Sequence, residues 1–303
     1  MRKTIILSCA AIALIGASLA DARPRLRDRI IGGRTTEPIP QPPGKQTLAY
    51  GADRLQNLDF WPAQGGSKRA PLIVFVHGGG WKRGSKDNAA GNYKAPHYTG
   101  LGYAYASINY RLLPDNTVED EAADVAHAVR YLIDNAARLG FDSGRIVIMG
   151  HSAGAHLVSL VGTDEQYLRG AGLSFANIDG VIPIDGAAYD VPKQIAGGGA
   201  FMHGTYLQAF GDDPARQRAL SPTFQAMAPN APSFLLVHVQ RSDGVAQNKQ
   251  LEAALRQART AVQRGEFPGT GLKGHGEINR RMGDPSYPAT GVVDAWLKSI
   301  FGS

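Results

Sequence analysis

The chain has 303 residues, 43% of them hydrophobic, and a single cysteine; that is enough apolar material for one packed domain and excludes a disulfide framework. Its 32 Lys and Arg against 26 Asp and Glu leave a formal charge of +6, and no basic-aromatic interleaving accompanies that small excess, which argues against a nucleic-acid partner.

Arg2 and Lys3 precede an apolar run over residues 5–19 and small residues from Ser18 to Ala22. A positive start, a short apolar stretch and a small-residue site read as a secretory signal peptide over 1–22, cleaved after Ala20 or Ala22. The run is too short for a membrane span, so no stable membrane anchor is expected and the protein is expected to be exported, to the periplasm or beyond. Cleavage removes two basic residues, one acidic residue and Cys9, which lowers the charge from +6 to +5. Residues 23–46 form a basic, Pro-rich leader with Pro38, Pro40, Pro42 and Pro43, and a single domain is expected over 47–303.

Strand patterns at 47–50 and 55–61 predict an antiparallel edge hairpin. Residues 71–76 are an unbroken apolar run, the mark of a strand buried on both faces, and His77-Gly78-Gly79-Gly80-Trp81 follows at once. Glycines at a strand end let the backbone N–H groups turn freely. A strand is expected at 103–108. Residues 117–139 form the clearest helix, with apolar positions from Val118 to Leu139 alternating in steps of four and three, a capping box at Thr117 and Asp120, and Gly140 as its stop.

The centre of the chain is Arg145-Ile146-Val147-Ile148-Met149-Gly150-His151-Ser152-Ala153-Gly154. A strand runs into a sharp turn, and a helical pattern begins at Ala155 and continues to about Gly162. Small residues two positions either side of Ser152 relieve the crowding that such a turn imposes, and the Ala153 N–H at the helix start faces any oxyanion formed at the hydroxyl. A strand at 181–184 ends in Asp185. Residues 189–210 read either as a small cap or as a surface excursion. A strand at 234–239, a helix at 247–262, a strand near 269–273, a loop through His275 and a helix from 288 to 300 complete the order. Strands alternate with helices throughout, which predicts a mostly parallel, doubly wound α/β sheet with helices on both faces.

A serine needs a base to take its proton and an acid to orient that base. In parallel sheets such groups gather beyond the carboxyl ends of strands. Of the eight histidines, His275 best fits this rule. His77 reads as shaping its loop, His156 and His238 as packed and His127 as exposed, while His97 and His203 stay open. Asp243, after the strand at 234–239, gives the order Ser152, Asp243, His275; Asp185 is its competitor.

Four segments carry a family resemblance: His77-Gly78-Gly79-Gly80-Trp81, Asn109-Tyr110-Arg111-Leu112, Gly150-His151-Ser152-Ala153-Gly154 and His275-Gly276-Glu277-Ile278-Asn279. Through them the chain resembles the α/β-hydrolase serine esterases of the hormone-sensitive-lipase-like, feruloyl-esterase-like and kynurenine-formamidase-like kind, from about Thr47 onward. The resemblance implies Ser152 as nucleophile, His275 as base, Asp243 as acid, and the Gly78, Gly79 and Ala153 N–H groups as oxyanion donors. One departure bears on the acid. The family carries His-Gly after the acid-bearing strand and a Val three residues past the Asp, whereas here Val239 follows His238 and Val245 stands two past Asp243. The expected activity is hydrolysis of a small-molecule carboxylic ester through an acyl-enzyme, with no metal and no cofactor. Hydrolysis of an N-formyl amide and an inactive binding module of the same fold are the alternatives.

Overall fold

The computed structural model describes residues 39–302 apart from 90–92 and 198. The segment read as a signal peptide, 1–22, lies outside the described residues, as does all of the leader before Ile39. Among the described residues, no helix is long and apolar enough to cross a membrane.

Eight strands form one sheet: β1 (Gln46–Ala49), β2 (Asn57–Trp61), β3 (Ala70–Val76), β4 (Ala104–Ile108), β5 (Phe141–His151), β6 (Gly180–Ile184), β7 (Ser233–Val239) and β8 (Ala261–Phe267). Their spatial order is β1-β2-β4-β3-β5-β6-β7-β8. β1 pairs antiparallel with β2, and β2 antiparallel with β4, as the expected hairpin requires. Every later pairing is parallel.

The central strands lack polar alternation because both of their faces are covered. Leu72, Val74 and Val76 of β3, with Ile146 and Ile148 of β5, enter one core beneath the helices Val118–Asp134, Ala153–Thr163 and Ser242–Gln257. Ile73, Phe75, Val147 and Met149 point the other way, into a second core beneath the helices Lys94–Gly100, Gly271–Arg281 and Pro288–Phe301. A side-chain period of two, with apolar partners on both sides, turns every position apolar.

The helix expected over 117–139 starts at the expected capping box: the Asp120 N–H donates to Thr117 Oγ1 at 3.2 Å and the Thr117 N–H to Asp120 Oδ2 at 2.9 Å. It ends at Asp134, and a separate turn, Ala136–Leu139, runs to Gly140 in the left-handed region at φ 77°. Two expectations near the carboxyl end fail. The helix read at 247–262 spans Ser242–Gln257, because its buried face is shared with the polar side chains of Gln247 and Asn248, which blur the apolar period. The strand read near 269–273 is instead Ala261–Phe267, a half-exposed edge strand bearing Arg264 and Glu266, and residues 271–281 are helical. His275 therefore sits on a helix rather than in a loop.

Glu121, in the first turns of the helix Val118–Asp134, is fully buried. Burial and then repulsion from Asp124, Asp120 and Glu119 push its carboxyl well above the ordinary value of 4.5, against a hydrogen bond with the Leu113 backbone. The unfolded chain ionises this group near its ordinary value, so the native state loses about 1.4 kcal/mol per pH unit above that point until its own pKa is reached. Glu121→Gln should therefore melt at a higher temperature than wild type at about pH 8, with the gap closing towards about pH 4.5. Melting curves of the two proteins at both pH values check this, and a pH-independent difference would contradict it.

Candidate active site

β5 ends at His151, and Ser152 makes the turn into the helix Ala153–Thr163 at φ 57°, ψ −117°. Two residues either side of that turn, only glycine fits. A Cβ on Gly150 would lie 2.2 Å from the Gly154 carbonyl oxygen, and one on Gly154 would lie 2.2 Å from that of Val76. The two glycines thus let the helix cross directly over the end of β3.

Ser152 Oγ lies 3.0 Å from His275 Nε2, and His275 Nδ1 lies 2.5 Å from Asp185 Oδ2. Of the residues expected together, the structure brings Ser152 and His275 into hydrogen-bond contact. It does not bring Asp243 to His275. The carboxylate there is Asp185, directly after β6 and fully buried. Asp243 falls in the first turn of the helix Ser242–Gln257, where Oδ2 accepts from Arg241 Nη1 at 3.2 Å and Gln194 Nε2 at 3.3 Å. The reason is local to the end of β7. The Gln240 N–H is taken by the Gly269 carbonyl, the helix begins at Ser242, and the Arg241 side chain bridges the two carboxylates.

Asp185 is held from several directions. Its φ is 45°, its N–H donates to the Val237 carbonyl at 2.7 Å, and its Oδ1 accepts the Val239 N–H at 3.1 Å. Burial alone would raise this carboxyl, but the His275 hydrogen bond and the Arg241 charge outweigh it, and the pKa lies below the ordinary value. His151 backs the imidazole from the other side. Its ring centroid is 4.5 Å from that of His275, and its Nε2 lies 3.0 Å from the His275 carbonyl oxygen. Burial pushes His151 well below the usual histidine range, so the ring is neutral and Nε2 carries the donated proton. One turn on, Asn279 Oδ1 accepts from the buried Lys94 Nζ at 2.8 Å, which ties the His275 helix to the helix Lys94–Gly100.

The glycine loop after β3 passes beside the serine: a Cβ on Gly78 would lie 2.8 Å from Ser152 Cβ, and Gly79 takes φ 137°. Ala153 opens the helix, so its N–H has no intrahelical acceptor. The Gly78 and Ala153 backbones therefore border Ser152, and Gly79 lines the same cavity. The loop is fixed by Tyr110, whose hydroxyl donates to the His77 carbonyl at 2.9 Å and whose ring stacks on His77 at 4.3 Å. Burial lowers His77 to about 4, so it shapes the loop as a neutral ring. His127 is exposed, His238 Nδ1 lies 3.0 Å from the Val239 carbonyl oxygen, and three others are engaged elsewhere. His97 pairs with Asp294 at 2.9 Å, His203 with the Ile195 carbonyl at 3.2 Å, and His156 is buried against the Leu220 carbonyl at 2.8 Å.

A cavity of about 600 Å³ opens over Ser152. The segment 189–210 supplies one of its walls through the helix Gly199–Phe210, which brings Met202, Thr205 and Tyr206 to it. Trp81 packs edge-on to Phe210 at 4.8 Å and holds that wall to the glycine loop. Arg241 and Asp243 also line it, beside that wall: Gln194 Nε2 donates both to the Tyr206 hydroxyl at 3.2 Å and to Asp243 Oδ2 at 3.3 Å. Among the described residues, no group of three or more His, Cys, Asp or Glu side chains is placed to hold a metal ion. Sequence reasoning singled out neither Arg241 nor His151. The altered spacing after His238 was the one signal that the end of β7 is unusual.

The BD-FAE family matches residues 58–186 of the chain. Esterase LipC of Mycobacterium tuberculosis is 31% identical over 242 residues, covering 75% of this chain and 59% of that protein. Esterase LipQ of the same organism is 30% identical over 234 residues, covering 73% and 55%. The chain thus spans little more than half the length of these curated relatives. Among solved structures, esterase B from Lactobacillus rhamnosis superposes with a TM-score of 0.69 at 22% identity, covering 91% of this chain and 89% of that one. Esterase 2 of Thermogutta terrifontis, phosphonylated by cyclosarin, gives 0.68 at 23%, covering 88% and 98%. These likenesses establish the α/β-hydrolase fold.

Gly154→Ala should lower the melting temperature by several degrees, because the added methyl meets rigid backbone and overpacking of this kind costs about 1–3 kcal/mol. An unchanged melting temperature would contradict the close approach of this helix to β3.

Proposed function

On the premise that the chain is a relative of the α/β-hydrolase serine esterases, we propose that it hydrolyses small carboxylic esters through an acyl-enzyme. The observation that carries this reading is the hydrogen-bonded series from Ser152 Oγ through His275 to Asp185, opening into a cavity beside the glycine loop. His275 Nε2 takes the hydroxyl proton as Ser152 Oγ attacks the ester carbon. Asp185 keeps Nδ1 protonated and stabilises the imidazolium; its three donors, against the opposing effect of burial, hold it ionised for that task. The oxyanion is met by the Ala153 N–H and by the loop N–H groups of Gly78 and Gly79. His275 then passes its proton to the leaving alcohol, and a water molecule, deprotonated by the same ring, releases the acid. Trp81, Met202 and Leu272 offer apolar surface to an acyl or aryl group.

Export remains part of this reading on the strength of the residue pattern at 1–22. Exported protein should show a mature N-terminus at Asp21 or Arg23 by mass spectrometry; full-length chain found only in the cytoplasm would reject it.

The decisive kinetics compare three variants on one soluble p-nitrophenyl ester. Ser152→Ala should abolish turnover and labelling by a fluorophosphonate. Asp185→Asn should lower kcat by roughly 10³–10⁴-fold, whereas Asp243→Asn should stay within about tenfold of wild type. If Asp243→Asn collapses turnover and Asp185→Asn does not, the acid is Asp243.

A further inference from the structure

The guanidinium of Arg241 lies between two carboxylates of very different exposure. Its Nε–H donates to Asp185 Oδ2 at 3.1 Å and its Nη1–H to Asp243 Oδ2 at 3.2 Å, while Nη2 lies 3.4 Å from the Asp185 carbonyl oxygen. The Asp185 side chain is 0% exposed, that of Arg241 14% and that of Asp243 35%. The Asp185 oxygen that Arg241 contacts is the same one that His275 Nδ1 contacts. The backbone alone supplies one donor to this carboxylate, the Val239 N–H on Oδ1. Without Arg241, Oδ2 has only the imidazole to fix its direction, and the buried charge has no countercharge within hydrogen-bond reach.

We propose that Arg241 is a positioning residue for the reaction, orienting Asp185 towards His275, and that Asp243 is its counterion, setting the charge balance against which His275 accepts a proton. The proposal rests on the esterase reading above and assigns a role to the very carboxylate, Asp243, that the sequence put forward as the acid. Two carboxylates and one guanidinium sum to one negative charge, and when His275 takes the Ser152 proton the group becomes neutral. A buried site favours that compensated state. Removing Arg241 leaves two negative charges beside the imidazole and favours its protonation; removing Asp243 leaves none in excess and disfavours it.

Groups from several elements face this cluster, among them Tyr287, whose phenol burial pushes up to about 12, and His238, which burial lowers; both feel the Asp185 charge. Asp185 comes from the turn after β6, Asp243 from the helix Ser242–Gln257, and His275 from the helix Gly271–Arg281. Neutral Gln194 meets Asp243. The phenols of Tyr189 and Tyr206 are pushed up, chiefly by burial, and stay protonated. His151 backs His275 as a neutral ring, with Lys94 behind it.

The test is the pH dependence of kcat/KM on a p-nitrophenyl ester for wild type, Arg241→Gln, Arg241→Lys and Asp243→Asn, each normalised to sites titrated by a fluorophosphonate. The acid limb of the profile, where the base is lost to protonation, reads the charge balance. Arg241→Gln should move that limb to higher pH and Asp243→Asn to lower pH, each by on the order of one pH unit. At each optimum Arg241→Gln should lower kcat by between about 10- and 100-fold with KM little changed, through misplacement of Asp185. Arg241→Lys, which keeps the charge without the fork, should keep the limb near that of wild type while still lowering kcat. Limbs that stay in place, or that move in the same direction in both variants, overturn the proposal. So does an Arg241→Gln variant that raises KM alone, which would make Arg241 a substrate contact. If Arg241→Gln does not fold, Asp243→Asn and Arg241→Lys decide the matter by the same criteria. Wild type that hydrolyses the ester while Ser152→Ala does not keeps the esterase reading in place whatever the Arg241 variants do. A wild-type chain inert to both ester and fluorophosphonate overturns both.

Discussion

At Gly154 the helix leaving the sheet passes so close to the end of β3 that a Cβ would lie 2.2 Å from the Val76 carbonyl oxygen and 2.4 Å from that of His77. The rest of the site depends on this approach. It brings the loop after β3 alongside Ser152, which is why the Gly78 backbone lies against that residue. It also obliges Ser152 to turn at a positive φ, a conformation that a residue with a side chain holds only where the surroundings over-determine it. Here the surroundings are the adjacent parallel strands β3 and β6: the Ser152 N–H is held by the Ile184 carbonyl at 3.1 Å.

The same strand that holds Ser152 also delivers Asp185, one residue later and again at a positive φ. A fully buried carboxylate is tolerable only when its lone pairs are met. Asp185 is met by a strand N–H from β7, by the imidazole on the helix Gly271–Arg281 and by Arg241 from the turn after β7. Three separate elements thus converge on one charge. Rigidity at the site follows from that convergence and from the supports behind it, His151 against the His275 backbone and Lys94 against Asn279.

The cavity is lined on two sides by different chemistry for a structural reason. Trp81, at the end of the glycine loop, packs against Phe210, His156 and Tyr206, so the loop and the wall of residues 189–210 are joined through one indole. Beside that wall stands the Arg241–Asp243 pair, joined to Tyr206 through Gln194, and its charges need each other as much as any ligand. An apolar wall beside a mutually paired guanidinium and carboxylate suits a neutral ester better than a free ion, in keeping with the proposed substrate class.

The sequence by itself determined the features that rest on local physics. An apolar run without alternation marked β3 as buried on both faces, the capping box and Gly140 framed the long helix, and a glycine on each side of Ser152 marked the turn that only glycines allow. Ser152 and His275 were legible because each stands in a glycine-flanked segment close beyond a strand or, as it proved, at a helix start. β8 was misplaced because an edge strand buries little and carries charges, so its period is weak; its neighbouring helix was shifted because Gln247 and Asn248 are buried polar residues. Only the tertiary structure decided between Asp185 and Asp243. Both follow strands, and their order in the chain fits either role; what separates them is where β6 and β7 end relative to the helix bearing His275, and the placement of Arg241 between them. That is a matter of distances between segments 90 residues apart in sequence, with His275 Nδ1 at 2.5 Å from Asp185 Oδ2, and no local spacing encodes it.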